Sequence, residues 1–134
     1  MVLAVFLIGL FGTGLELLFL EHTAGLSQLI PLVLFLMSSL VLIWHALERK
    51  SASLRAFQIT MLLLVAAGFL GGALHFKFNW EFEAEGDPEM ARSELFSKAM
   101  RGAAPSLAPG AMIQLGLLGL IYTLRHPVFQ KEQL

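Results

Sequence analysis

Glu16 is the residue whose type and position most demand a chemical account. It stands inside an apolar stretch, flanked by Leu15 and Leu17. A carboxylate within a membrane span costs about 3 kcal/mol, so an ionisable residue there points to function or assembly. His75 ends a second apolar stretch, Gln114 lies near the start of another, and Glu21 and His22 follow Glu16 closely. If the stretches cross a bilayer in alternation, these five side chains share one layer at the outer end of the bundle. Three kinds of chemistry fit that layer. Glu16 hydrogen-bonded to His75 or Gln114 would lock the bundle, since buried polar groups need partners. The layer could instead hold the head group of a quinone or lipid, or relay a proton. A metal on Glu16, Glu21, His22 and His75 is the third, but no diagnostic spacing such as His-Glu-x-x-His supports it. The structural lock is the simplest.

The four histidines also divide by level. His22 and His75 fall at the outer end, His45 and His126 at the inner end. Two such pairs could ligate two b-type haems. Against this, His22 and His126 stand at or beyond helix ends, where water would reach the iron, and Pro127 ends the helix after His126. Each histidine reads more simply as an interfacial residue. Trp44 beside His45 and Tyr122 beside Thr123 read as inner aromatic anchors. The sequence names no cofactor.

Catalytic motifs are missing. No cysteine is present, which removes disulfides, thiolate metal sites and thiol catalysis. Ser38-Ser39 is mid-span, and no Gly-x-Ser-x-Gly occurs. Gly9, Gly12 and Gly14 follow no strand and open no βαβ unit, so they are not a phosphate loop. Ten acids and nine bases nearly cancel, leaving no basic footprint for nucleic acid.

The elements that must position these residues are four apolar stretches, about 2–20, 29–47, 56–76 and 107–124. About 20 apolar residues cover the hydrocarbon core, and no soluble domain of 134 residues could bury four such segments. The expected fold is all-α, a single integral membrane domain built as a four-transmembrane-helix bundle. The first stretch is expected to stay uncleaved. No base precedes it, and Glu21 and His22 make Thr23-Ala24-Gly25 a poor processing site. Arg49, Lys50 and Arg55 lie between stretches two and three, Arg125 and Lys131 after stretch four, and none between stretches one and two. That asymmetry puts both termini inside and segment 77–106 outside. In a bacterium the membrane would be the inner, cytoplasmic one.

Wheels at 100° per residue place Gly9, Gly12, Thr13 and Glu16 on one face of stretch one. Gly68, Gly71, Gly72 and His75 share a face of stretch three, and Met112, Gly116, Gly119 and Thr123 a face of stretch four. Pro31, Ser38 and His45 form a less small stripe on stretch two. Small residues let helices approach closely in lipid, so these faces are expected to be packing seams. Short loops make stretches one and two, and two and three, antiparallel neighbours.

The outer segment has two parts. From Phe76 to Glu83 aromatics alternate with polar residues, the period of a strand. Phe78, Trp80 and Phe82 are then expected at the headgroup level as an aromatic belt. Asp87-Pro88-Glu89 reads as a helix start, and Gly102 as its stop. Ala91, Leu95, Phe96, Ala99 and Met100 line one side, which describes a short amphipathic interfacial helix between helices three and four.

These features point to a non-catalytic accessory or structural subunit of a larger membrane complex, of the bioenergetic kind. Its partners would be the lipid bilayer and other membrane subunits or further copies of itself. A small redox, quinone- or haem-binding protein centred on Glu16 and His75 is the alternative. An oligomeric transporter is the third class, although four spans are few for the repeat architecture such proteins use.

Overall fold

A computed structural model describes residues 1–21, 25–102, 109–124 and 126–130. All regular structure among them is helical: α1 (Val2–Phe19), α2 (Leu26–Glu48), α3 (Ser51–Gly86), α4 (Arg92–Arg101), α5 (Gly110–Thr123) and the single turn α6 (Pro127–Gln130). Three of these, α1 to α3, are long and apolar enough to cross a membrane, whereas α5 is equally apolar but has 14 residues. Leu107 and Ala108, the expected start of the fourth stretch, lie outside the described residues.

The expected strand at Phe76–Glu83 is instead helix, continuous with the third stretch to Gly86. The reason is that a period of two also satisfies a spacing of four. Aromatics at 76, 78, 80 and 82 split into two i, i+4 ladders on opposite sides of a helix. Phe76 and Trp80 pair at 5.7 Å between ring centroids, Phe78 and Phe82 at 6.4 Å. Lys77 and Glu81 add an exposed i, i+4 ion pair at 3.6 Å. A lone strand would leave its backbone groups without partners, and extending the helix satisfies them internally. At 36 residues and ~1.5 Å per residue, α3 is about 54 Å long, well beyond a hydrocarbon core of about 30 Å. The excess is about 24 Å, or roughly 16 residues.

The amphipathic helix forms, but it starts at Arg92 and not at Asp87. Asp87 is used up as the end of α3. Its Oδ1 accepts a bond from the Glu89 backbone N–H (3.3 Å), so the Asp-Pro pair makes the turn between helices. Gly102 does end the helix. α4 folds back along the projecting part of α3 and buries Leu95 and Ala99. Asn79, itself buried, donates through Nδ2 to the Ala99 carbonyl (2.9 Å). Phe76 touches Phe96, with centroids 5.6 Å apart. Any side chain at 102 would meet the Asn79 amide, since a Cβ there would lie 2.7 Å from Asn79 Cγ. Trp80 is half-buried beneath this helical hairpin, while Phe78 and Phe82 remain exposed on its far side.

The apolar core is a layer of Phe6 and Leu10 from α1, Leu34 and Phe35 from α2, Phe57, Met61 and Leu64 from α3, and Met112 and Leu115 from α5. Phe57 sits at its centre, edge to face with Phe6 (5.6 Å) and Tyr122 (6.2 Å). α3 is the axial helix, packed against α2, α4 and, most extensively, α5. The short connections do make α1 and α2, and α2 and α3, neighbours, but α1 leans mainly on α5.

Glycine decides how closely α3 and α5 approach. A Cβ on Gly116 would stand 2.6 Å from Val65 Cγ2 and 2.7 Å from the Met61 carbonyl oxygen. One on Gly68 would stand 2.6 Å from Ile113 Cγ1. Gly119 faces Met61 and Phe57, and Gly71 faces Pro109. Across the same seam Gln58 Nε2 donates to Thr123 Oγ1 (3.0 Å), and Thr123 passes its own proton to the Leu120 carbonyl (2.7 Å). Gly72 is half-buried.

Candidate functional site

Among the described residues, the side chains of the expected outer layer are not buried together. Glu16 is exposed, and so are Glu21 and Gln114, while His75 is half-buried on α3; His22 lies outside the described residues. The glycine face of α1 is split down its length. Gly9 points inward, where a Cβ would meet Leu115 Cδ2 at 2.7 Å. Gly12, although only three residues away, is exposed with nothing within 4 Å of where a Cβ would be. Ile8, Gly12, Leu15, Glu16 and Phe19 together line the side of α1 turned away from the other helices. The bundle turns Phe6, Leu10, Gly14 and Leu17 inward instead, because those are the residues that fit Leu115 and Phe35. Wheel geometry could not distinguish these neighbouring faces, since Gly9 and Gly12 lie only 60° apart on it.

The residues that the fold does bring together lie at the opposite end. His45 is in the last turn of α2 and Ser53 in the first turn of α3. The chain reverses between them in two residues, with Arg49 at φ 51° in the left-handed region. That reversal sets His45 Nδ1 2.9 Å from Ser53 Oγ. Ser53 Oγ also lies 2.8 Å from the Lys50 carbonyl, and the ring tautomer of His45 sets which partner receives the hydroxyl proton. His45 is only 5% exposed.

His126, just beyond α5, packs its ring edge to face on His45, with centroids 5.1 Å apart. Tyr122, one turn earlier on α5, lies 5.4 Å from the His126 ring, and its hydroxyl approaches Nε2 at 3.5 Å. The Val128 N–H points at His126 Nδ1 (3.4 Å). Partial burial pushes the His126 pKa down, and repulsion from His45 pushes it the same way. Both effects favour the neutral ring of His126. Two imidazoles in edge contact leave no room for a macrocycle between them, so His45 and His126 do not fit as the two axial ligands of a haem. Among the described residues no group of three or more His, Cys, Asp or Glu side chains is placed to hold a metal ion.

Beside these side chains opens a cavity of about 1050 Å³. One arm is apolar, lined by Leu3, Leu7 and Phe11 of α1 and Leu42 and Ile43 of α2. The other end is polar, with His45, Tyr122, His126, Arg49 and Lys50. The separate histidines and the basic turn were visible in the sequence, but their union was not. Ser53 carried one available signal: it lies eight residues after His45 across a two-residue break, close enough for the ends of consecutive antiparallel helices to meet.

Comparison with protein-family models, with characterised proteins and with solved structures finds no match for this chain.

Proposed function

We propose that this chain is a non-catalytic subunit of a larger membrane assembly, attached through the outer face of α1. Glu16 is the basis for this reading. α1 has 18 residues, about 27 Å at ~1.5 Å per residue, slightly less than a hydrocarbon core of about 30 Å. Glu16 therefore sits about one turn inside the apolar layer, yet it is exposed and turned away from its own bundle. A carboxylate there needs a partner, and the uncluttered Gly12 beside it admits the backbone of an approaching helix. The α3–α4 hairpin supports the same reading, because it extends the bundle beyond the apolar layer while exposing Phe78, Phe82 and Phe96.

The membrane arrangement we propose has four spans, α5 lying in the fourth. Both termini and the α2–α3 turn lie inside, and the α3–α4 hairpin lies outside. In a bacterium this would be the inner membrane, and the host complex a bioenergetic one. Reporter fusions at Lys50 and at Gly86 are expected to signal opposite compartments. The same compartment for both would end the three-helix alternation on which this arrangement rests.

The function itself is tested by extracting the protein from its native membrane in mild detergent and identifying co-purifying chains by mass spectrometry. Foreign membrane subunits at fixed stoichiometry are expected. A protein that leaves the membrane only as a monomer, at any detergent concentration that keeps it folded, would exclude the proposal.

A further inference from the structure

The cavity between the ends of α1, α2 and α5 takes no part in the attachment face. We infer that it binds an anionic phospholipid of the surrounding leaflet, with the phosphate at the α2–α3 turn and an acyl chain along α1. Three observations converge. First, the lining is segregated: Leu3, Leu7, Phe11 and Leu42 form one arm, and the polar groups gather at the other end. An amphiphile matches both halves, whereas a small polar metabolite would waste the apolar arm.

Second, the polar end is charged with the right sign. Arg49 and Lys50 both line it. Glu48 offsets part of this through an ion pair with Lys50 at 3.1 Å, leaving segment 48–50 with one net positive charge. The first turn of α3 also lines it through Ser51 and Ala52. No side chain caps that turn, so the positive end of the helix dipole faces the cavity. Basic pockets between membrane helices at the cytoplasmic side are suited to anionic head groups.

Third, His45 is more than nine-tenths buried and lines the same end. Its Nδ1 is committed to Ser53, and no described residue partners Nε2. In the tautomer with its proton on Nε2 it is a donor to a phosphate oxygen, and the Tyr122 hydroxyl is a second donor in the same wall. A quinone head could use these two donors but leaves the paired bases unexplained. The volume, about 1050 Å³, lies at the top of the range for small-molecule pockets and suits a head group with part of a chain.

The test uses the full-length protein in detergent, with native mass spectrometry reporting retained lipid. Phosphatidylglycerol and phosphatidylcholine with identical acyl chains are supplied in equal amounts. The wild type is expected to retain phosphatidylglycerol in about fivefold preference, given roughly one factor of five for the one net positive charge near the phosphate. Arg49→Asn combined with Lys50→Gln should bring the preference below about twofold. Asn tolerates the left-handed backbone at 49, so lipid-free melting should stay unchanged. Leu7→Trp, which fills the apolar arm and leaves the bases in place, should also lose bound lipid. Equal retention of both lipids by the wild type would overturn the inference. So would a preference that survives the double substitution, displacement of phosphatidylglycerol by an equimolar short-chain ubiquinone, or equal stabilisation by millimolar inorganic phosphate alone.

Discussion

Gly116→Leu is expected to unfold the bundle or to lower its melting temperature in detergent by about 10 °C or more. A Cβ at this position already falls 2.7 Å from the Met61 carbonyl oxygen and 2.6 Å from Val65 Cγ2. A side-chain neighbour can rotate away, but a carbonyl fixed in the middle of α3 cannot. The three further carbons of leucine must then push α5 off α3. Met61, Phe57 and Leu64 are fully buried there, so there is no free volume to absorb the displacement. Overpacking of this kind costs about 1–3 kcal/mol or more. In a chain of this size each kcal/mol moves the midpoint by roughly 3–6 °C. The separation would also stretch the Gln58–Thr123 hydrogen bond, which crosses the same seam. Thermal unfolding followed by circular dichroism checks this; a melting temperature within about 2 °C of wild type, less than the shift expected from 1 kcal/mol, would show that α3 and α5 do not meet at Gly116.

The same substitution on α1 should do the opposite. Gly12→Leu adds a side chain where nothing lies within 4 Å, so the isolated protein should melt as the wild type does. Its effect should fall on assembly, because the added bulk stops another helix from approaching next to Glu16. Glu16→Leu should weaken assembly too, by removing an intramembrane hydrogen bond worth about 0.6–2 kcal/mol, or roughly 3- to 30-fold. Glu16→Gln should be milder, since an amide still bonds. Combining Gly12→Leu with Glu16→Leu should leave a folded monomer with no co-purifying chain. Size-exclusion chromatography alongside thermal melting separates the two effects. Loss of folding together with loss of assembly would mean that Gly12 faces its own bundle and not a partner helix.

These two glycines mark where the sequence is informative and where it is ambiguous. The apolar stretches and the helical seam glycines 68, 71, 116 and 119 are legible because lipid demands helices, and helices without large side chains pack closely. Which of two adjacent faces of α1 turns inward is not legible. It depends on the fit of Phe6 and Leu10 against Phe57 and Leu115, a contact between residues distant in sequence. The aromatic run 76–82 misleads for a different reason. Alternation fits a strand and two i, i+4 ladders equally well, and only the helix before it and the α4 partner beside it settle the choice. Likewise Asp87 has the chemistry of a helix cap and uses it in the turn between two helices. The His45–Ser53 contact is local and could have been anticipated from the short break at 49–50. The meeting of His45 with His126 requires the packing of α2 against the end of α5, which no periodicity encodes.

The most direct test of attachment through α1 is site-specific photo-crosslinking in the native membrane. A photoreactive side chain replaces Ile8, on the outward face of α1, or Leu63, exposed on α3. The Ile8 probe is expected to yield a discrete protein adduct of defined mass that disappears in the Gly12→Leu background, and the Leu63 probe to label lipid. Lipid adducts alone from Ile8, with or without Gly12→Leu, would contradict the assignment of this chain as an assembly subunit.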